Sequence, residues 1–250
     1  MSVSVAEPEF NLLDVFLIFL VAGAALLFCT VAGFMILVIV RGPHAIDPKN
    51  PANAALLLIP IQVAAYVLTV GFMVFYVWAK YHVGFLRAVR WNMPTGKLVW
   101  LALAGGSLLG LGSELAGGLL HRWIPKSLPI EQFFTTPASA YALAAFGILV
   151  APLVEELFFR GFLYPALARW AGQGVGVGLT AGLFALLHAG QLAMAWAPLL
   201  VVFLVGLALT LVRVRTNSVA SCVLVHAGYN FTLFTLAFFA TGHFHHMDKM

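Results

Sequence analysis

The chain has 250 residues, of which 62% are hydrophobic and only 9% are charged. Soluble domains are about 45–50% apolar and about 25% charged, so this composition excludes a soluble fold. The formal net charge is +4. Because Lys and Arg do not form the clustered basic face that nucleic-acid binding requires, we expect no nucleic-acid partner. The composition predicts an integral membrane protein.

The N-terminal half contains three apolar runs of the length, about 20 residues, that a transmembrane helix needs. The predicted spans are at about residues 13–40, 53–79 and 98–120. Gly106 and Gly110 of the third span have the spacing of a small-residue packing face. Residues 80–97 mix Lys and Arg with aromatic residues, which predicts a short amphipathic segment in the headgroup layer.

The C-terminal half begins with a proline-containing interfacial loop at 121–137. The fourth span, about 138–170, is long enough for two helical pieces, with Pro152 as the candidate break. Four glycines predict a connection at about 171–178, and the remaining spans are predicted at about 179–189, 191–212 and 218–241. The fold expected from this pattern is an all-α, polytopic transmembrane bundle of about seven to eight helices. We interpret residues 1–250 as a single membrane domain, with the motif-bearing core at about 138–241.

The distribution of Lys and Arg favours a cytoplasmic N-terminus. In that orientation the inner segments hold eight of these residues and the outer segments hold five. The inner residues are Lys80, Arg87, Arg90, Lys97, Arg160, Arg169, Arg213 and Arg215, and the outer residues are Arg41, Lys49, Arg122, Lys126 and Lys249. We predict a multi-pass protein of the plasma membrane.

The fourth span contains three charged residues, Glu155, Glu156 and Arg160, within six positions. Each charge at the centre of a bilayer costs about 2.5–3.5 kcal/mol, so the cluster indicates a function. Glu156 and Arg160 are four residues apart with the acid first, which is the favoured order for an ion pair. We interpret Glu156 as held by Arg160 and Glu155 as the free carboxylate. The opposite assignment stays open.

Two later spans carry polar residues at a similar estimated depth. Phe184 and His188 are four residues apart, as are His226 and Asn230, so each pair shares a helix face. Counted from the neighbouring turns, Glu155 and the two histidines each lie about 15–17 Å from the same side of the membrane. The pattern predicts that carboxylate, imidazole and amide groups meet inside the bilayer.

These motifs resemble those of the CPBP family of membrane proteases (CAAX proteases and bacteriocin-processing enzymes, also called Abi), which includes the type II CAAX prenyl protease. The family pattern is Glu-Glu-x-x-x-Arg, then Phe-x-x-x-His, then His-x-x-x-Asn or Asp. All three motifs occur here in that order, between about residues 149 and 231. The resemblance implies an intramembrane endopeptidase with about eight helices around a water-filled cavity.

The resemblance also implies roles for the motif residues. The first glutamate of the pair and the first histidine would activate a water, while the second histidine and the asparagine would bind the oxyanion. The expected catalytic residues are therefore Glu155, His188, His226 and Asn230, and the expected supporting residues are Glu156, Arg160 and Phe184.

Other chemistries stay open at this point. Glu155, His188 and His226 could supply three zinc ligands, but the chain has no His-Glu-x-x-His helix, so we favour a mechanism without metal or other cofactor. Buried Glu and His also form proton relays in transporters, and a non-catalytic scaffold or immunity protein is a further alternative. The expected partners are the lipid bilayer and a peptide or protein substrate. Glu114 in the third span has no assigned role.

Overall fold

The structure is a computed structural model that describes residues 8–42, 51–134 and 136–245, with side chains from residue 57 in the second range. These residues form eight helices and no β-strand. The predicted all-α polytopic bundle is confirmed. The helices are α1 (Leu12–Arg41), α2 (Pro51–Tyr81), α3 (Phe85–Ala88), α4 (Lys97–Leu120), α5 (Pro137–Ala171), α6 (Gln173–Leu187), α7 (Trp196–Thr216) and α8 (Val219–Ala240).

Six of these helices, α1, α2, α4, α5, α7 and α8, are long and apolar enough to cross a membrane. The shorter α6 has 15 residues, which is about 22 Å of helix. Large apolar side chains point outward along the long helices, as at Ile39, Leu119 and Leu149, and lipid covers such surfaces in a membrane protein. Most of the connection between the first two predicted spans, together with Lys49 and Lys249, lies outside the described residues.

The predicted glycine-rich connection at 171–178 is wrong. Only Gly172 forms the turn, with a φ of 86°, and α6 already begins at Gln173. The next glycines, Gly174, Gly176 and Gly178, are helical, and Gly176 permits a close helix contact. A Cβ atom on Gly176 would lie 2.7 Å from the backbone nitrogen of Ala168 in α5. The sixth span is also shifted, since 188–194 form turns and α7 starts only at Trp196.

The candidate break at Pro152 is also absent. Helix α5 is continuous from Pro137 to Ala171 and contains two π-helical stretches, Phe146–Val150 and Leu157–Leu163. Pro152 is the second residue after the first stretch. The wider turn there accommodates a residue without an N–H group, so the helix continues instead of breaking.

The predicted amphipathic segment at 80–97 is a single helical turn, α3, followed by an extended stretch that packs against the bundle. Val89 is fully buried. Asn92 donates through Nδ2 to the carbonyl oxygen of Asn217 at 2.9 Å, and the backbone N–H of Val219 donates to the carbonyl of Arg90 at 3.0 Å. These contacts attach the segment to the start of α8 and not to the headgroup layer alone.

Helices α4 and α8 approach each other at glycines. A Cβ atom on Gly106 would lie 2.0 Å from the carbonyl oxygen of Val225, and one on Gly228 would lie 2.5 Å from the carbonyl oxygen of Leu103. On Gly110 it would lie 3.0 Å from the side chain of Thr232. The small-residue face predicted from Gly106 and Gly110 is confirmed, and it sets the position of α8.

A buried carboxylate joins the first two helices. Asp14 is fully buried and completes a capping box with Asn11 at the start of α1. It accepts hydrogen bonds from the hydroxyls of Tyr76 and Tyr81 of α2, each at 2.5 Å, and forms an ion pair with Lys80. This cluster fixes α1 to the end of α2.

The glycine contact between α4 and α8 can be tested by a matched pair of substitutions. Gly106→Ala should destabilise the protein by about 1–3 kcal/mol, because the added methyl overlaps the backbone of α8. Gly105→Ala has open space around the new Cβ and should be neutral or stabilising by up to about 1 kcal/mol. Unfolding of the purified variants in detergent measures both changes in stability. Equal changes in the two variants would contradict the close contact between α4 and α8.

Candidate active site

A π-helical stretch follows directly after the paired glutamates in α5. Glu156 ends a six-residue α-helical piece, and Leu157–Leu163, which contains Arg160, is π-helical. Short π segments are rare and frequently occur at functional sites. The segment is also the most deeply buried part of the helix, since Glu156 and Arg160 are both 0% exposed.

Glu156 is the centre of a buried charge cluster. Its Oε1 accepts a hydrogen bond from Nη1 of Arg160 at 2.7 Å and lies 2.8 Å from Nδ1 of His226. The predicted ion pair between Glu156 and Arg160 is therefore present. The contact with His226 was not expected from the sequence. Among the described residues, Oε2 of Glu156 is buried and has no hydrogen-bond partner.

Helix α7 supplies the remaining partners of Arg160. Nη2 donates to the carbonyl oxygen of Gly206 at 2.9 Å, and Nε lies 3.4 Å from the hydroxyl of Thr210. Arg213, which is also buried, donates from Nε to the carbonyl oxygen of Arg160 at 3.1 Å. Sequence reasoning missed these residues and put Arg213 in a turn. Gly206 and Thr210 are uncharged, and no motif in their neighbourhood indicates a contact with Arg160.

The ring of Phe184 lies between the polar groups. Its centroid is 4.8 Å from the guanidinium carbon of Arg160, 4.7 Å from the ring of His188 and 5.9 Å from the ring of His226. Phe184 is itself 2% exposed. The ring thus contacts both histidines, and its contact with Arg160 is a cation–π interaction. The expected face shared by Phe184 and His188 is present.

In both histidines, Nδ1 has a hydrogen-bond partner within the protein. Nδ1 of His188, at the end of α6, lies 2.8 Å from the carbonyl oxygen of Phe184. Because a carbonyl only accepts, Nδ1 carries the hydrogen and Nε2 of the neutral ring has a free lone pair. Nδ1 of His226 faces the carboxylate of Glu156 in the same way. Each imidazole can therefore use Nε2 for a substrate or a water.

Asn230 contacts the backbone of α5. Its Nδ2 donates to the carbonyl oxygen of Gly147 at 2.5 Å. This carbonyl lacks a helical donor for a specific reason: the N–H of Ala151 bonds to Phe146, and the next residue, Pro152, has no N–H. His226 and Asn230 therefore both face α5, as their spacing predicts, but at different points along it.

Glu155 has a different environment from Glu156. It is half-buried, and it interacts electrostatically with Tyr66 of α2. It forms no ion pair within the described part of the chain. Nor are three His, Cys, Asp or Glu side chains of the described residues grouped closely enough to hold a metal ion.

The earlier estimate of depth used helix ends that the structure shifts, because α6 starts at Gln173 and not near Leu179. Direct contacts nevertheless bring Glu156, His226, Phe184 and His188 together. Glu114, which had no assigned role, is exposed in α4 and interacts electrostatically with Tyr229.

The same part of the chain matches a known family. Residues 137–232, from the start of α5 into α8, match the sequence model of the family described as Type II CAAX prenyl endopeptidase Rce1-like. The match supports a CAAX protease family assignment for this segment. The predicted family resemblance is thereby confirmed, and it supports an intramembrane CAAX-type protease function in general. No curated protein and no solved structure matches the chain significantly.

The two glutamates should differ sharply in their effect on stability. Glu156→Gln should destabilise the protein by about 3–5 kcal/mol, because it leaves the buried Arg160 without its counter-charge. Glu155→Gln, at a half-buried position without an ion pair, should change stability by less than about 1 kcal/mol. Denaturant titration of both variants in detergent gives the comparison. A loss of stability confined to Glu155→Gln would reverse the assignment of the structural carboxylate.

Proposed function

We propose that the protein is an intramembrane endopeptidase in which Glu155 and His188 activate a water and His226 and Asn230 stabilise the oxyanion. The observation that carries the proposal is the buried Glu156–Arg160–His226 cluster. It orients a histidine inside a membrane span, within the segment that matches the protease family.

The contact with Glu156 defines what His226 can donate. With its Nδ1 hydrogen directed at the carboxylate, His226 offers a second N–H at Nε2 only as an imidazolium. We propose that Glu156 maintains His226 as an oxyanion donor, an interaction commonly worth about 3–4 kcal/mol in a transition state.

Asn230 is proposed as the second donor. An amide carries two N–H groups, and one of them is occupied by the carbonyl of Gly147. That bond fixes the amide plane, so the second N–H has a defined direction. The free carbonyl of Gly147 thus positions Asn230, and Pro152 makes the carbonyl available.

Glu155 is proposed as the general base because Glu156 is already occupied. Both hydrogen bonds of Glu156 are directed to side chains that it holds in place, whereas Glu155 has no such ion pair. Glu155 would take a proton from the water as its oxygen attacks the peptide carbonyl, and return it to the leaving amine. The lone pair on Nε2 of His188 would orient the same water.

Zinc is the rival to this arrangement, with Glu155, His188 and His226 as ligands. Histidine ligands commonly donate their other N–H to a carboxylate or a backbone carbonyl, and both histidines do so here. We favour the metal-free mechanism because the chain has no His-Glu-x-x-His helix, the usual pattern of a zinc peptidase.

The proposal extends to the domain organisation, the host membrane and the substrate. We propose that residues 1–250 form one membrane domain with its catalytic core at about 138–241, located in the plasma membrane. The partners would be the surrounding lipid bilayer and a peptide or protein substrate.

Glu155→Gln should reduce cleavage by about 10²–10⁴-fold, since it removes the base while preserving shape. Purified protein in liposomes is incubated with membrane peptides, and the products are identified by mass spectrometry. Glu114→Gln is the matched control, because Glu114 is an exposed intramembrane carboxylate outside the cluster, and it should cleave at the unaltered rate.

The same assay distinguishes the proposed mechanism from its alternatives. Full activity of Glu155→Gln would exclude Glu155 as the base. Loss of cleavage on treatment with a chelator, restored by zinc, would replace the metal-free mechanism. Absence of cleavage together with pH-driven solute uptake would favour a proton-coupled transporter, and absence of both would favour a scaffold or immunity protein.

A further inference from the structure

A cavity lies between α4 and α7, with residues of α8 also lining it. Its volume is about 850 Å³, and its walls are mainly apolar. The wall from α4 includes Leu98, Leu101, Gly105 and Leu108, while Val212 belongs to the wall from α7. None of the proposed catalytic side chains lines it. The proposed function therefore leaves this groove without a role.

The groove has the depth of one membrane leaflet. From Leu98 to Leu108 it follows ten residues of α4, a distance of about 15 Å along a helix. The hydrocarbon core of a bilayer is about 30 Å thick, so one leaflet supplies acyl chains to a depth of about 15 Å. A single lipid chain lying along α4 would therefore fill the groove from its mouth to the bilayer centre.

The mouth of the groove is polar and lies on the positively charged end of the bundle. Asn92, Thr216 and Ser218 line it. Lys97 and Arg215, each adjacent in sequence to a lining residue, are exposed and form no ion pair within the described residues. No Asp or Glu occurs in residues 81–113 or 200–247, and the acidic residues near the N-terminus at this end, Glu9 and Asp14, are paired with Arg169 and Lys80.

We propose that this groove binds one anionic phospholipid of the surrounding leaflet. The acyl chain would lie between α4 and α7, and the phosphate would be held by Lys97 and Arg215 with the polar mouth around it. Basic pockets between transmembrane helices on the cytoplasmic side are known to accommodate acidic headgroups. The uncapped start of α4 at Lys97 adds positive potential at the same position. The assignment does not depend on proteolysis.

Binding can be measured by native mass spectrometry of the full chain, delipidated and titrated with phosphatidylglycerol or phosphatidylcholine. One phosphatidylglycerol should bind more tightly than phosphatidylcholine. Each cation near the membrane surface contributes about fivefold to the affinity for acidic lipid, so the double variant Lys97→Gln/Arg215→Gln should lose about 25-fold. Arg122→Gln/Lys126→Gln, on the opposite side of the bundle, is the charge-matched control and should bind unchanged.

A second variant tests the groove without altering charge. Gly105→Leu should abolish preferential binding, because a Cβ at Gly105 meets only open space and the larger side chain would occupy the cavity. Gly112→Leu, also with open space but outside the groove, should bind like the unaltered protein. Because leucine favours helix over glycine, neither variant should unfold.

Three results would overturn the assignment: equal affinity for both lipids, unchanged phosphatidylglycerol binding in Gly105→Leu, or equal loss in Gly112→Leu. A further contradictory result would be tighter binding of a lipidated peptide in the groove, unaffected by the cation substitutions, because the groove would then be a substrate subsite.

Discussion

The architecture depends on one buried carboxylate, Glu156. Apolar surfaces gain little by meeting each other in a lipid environment, so helix association there relies on close packing and polar contacts. The Glu156 cluster supplies such contacts to three helices at once: Arg160 extends from α5 to the backbone of α7, and His226 reaches from α8 to the carboxylate. Charge neutralisation within the cluster makes it tolerable at this depth.

Glycine makes that cluster geometrically possible. The carbonyl that Arg160 reaches belongs to Gly206, where an added Cβ would lie 3.1 Å from Cα of Ala181 in α6. Close approach of α6 and α7 therefore brings Phe184 against the guanidinium, and the glycine contacts between α4 and α8 set the position of His226. Close helix contacts at glycines thus determine the geometry of the charged Glu156 cluster.

Local patterns in the sequence predicted much of this arrangement. Apolar length predicted the long spans, and four-residue spacing predicted the ion pair of Glu156 with Arg160 and the shared face of Phe184 and His188. The wrong predictions concern glycine and proline, because each residue type occurs both at helix ends and within helices. Gly176 was interpreted as loop-forming although it permits a close helix contact, and Pro152 as helix-breaking although a π turn accommodates it. The contact of His226 with Glu156 spans 70 residues, and no local spacing encodes it.

The short helix α6 has a consequence for the membrane itself. Its length of about 22 Å is less than the roughly 30 Å hydrocarbon thickness, whereas the 30 residues of α1 exceed it. A bilayer can accommodate such opposite mismatches within one molecule by tilting α1 and thinning beside α6. Such a local depression would bring headgroups and water toward His188 at the end of α6, so the thickness of the host membrane becomes a factor in how readily this histidine is hydrated.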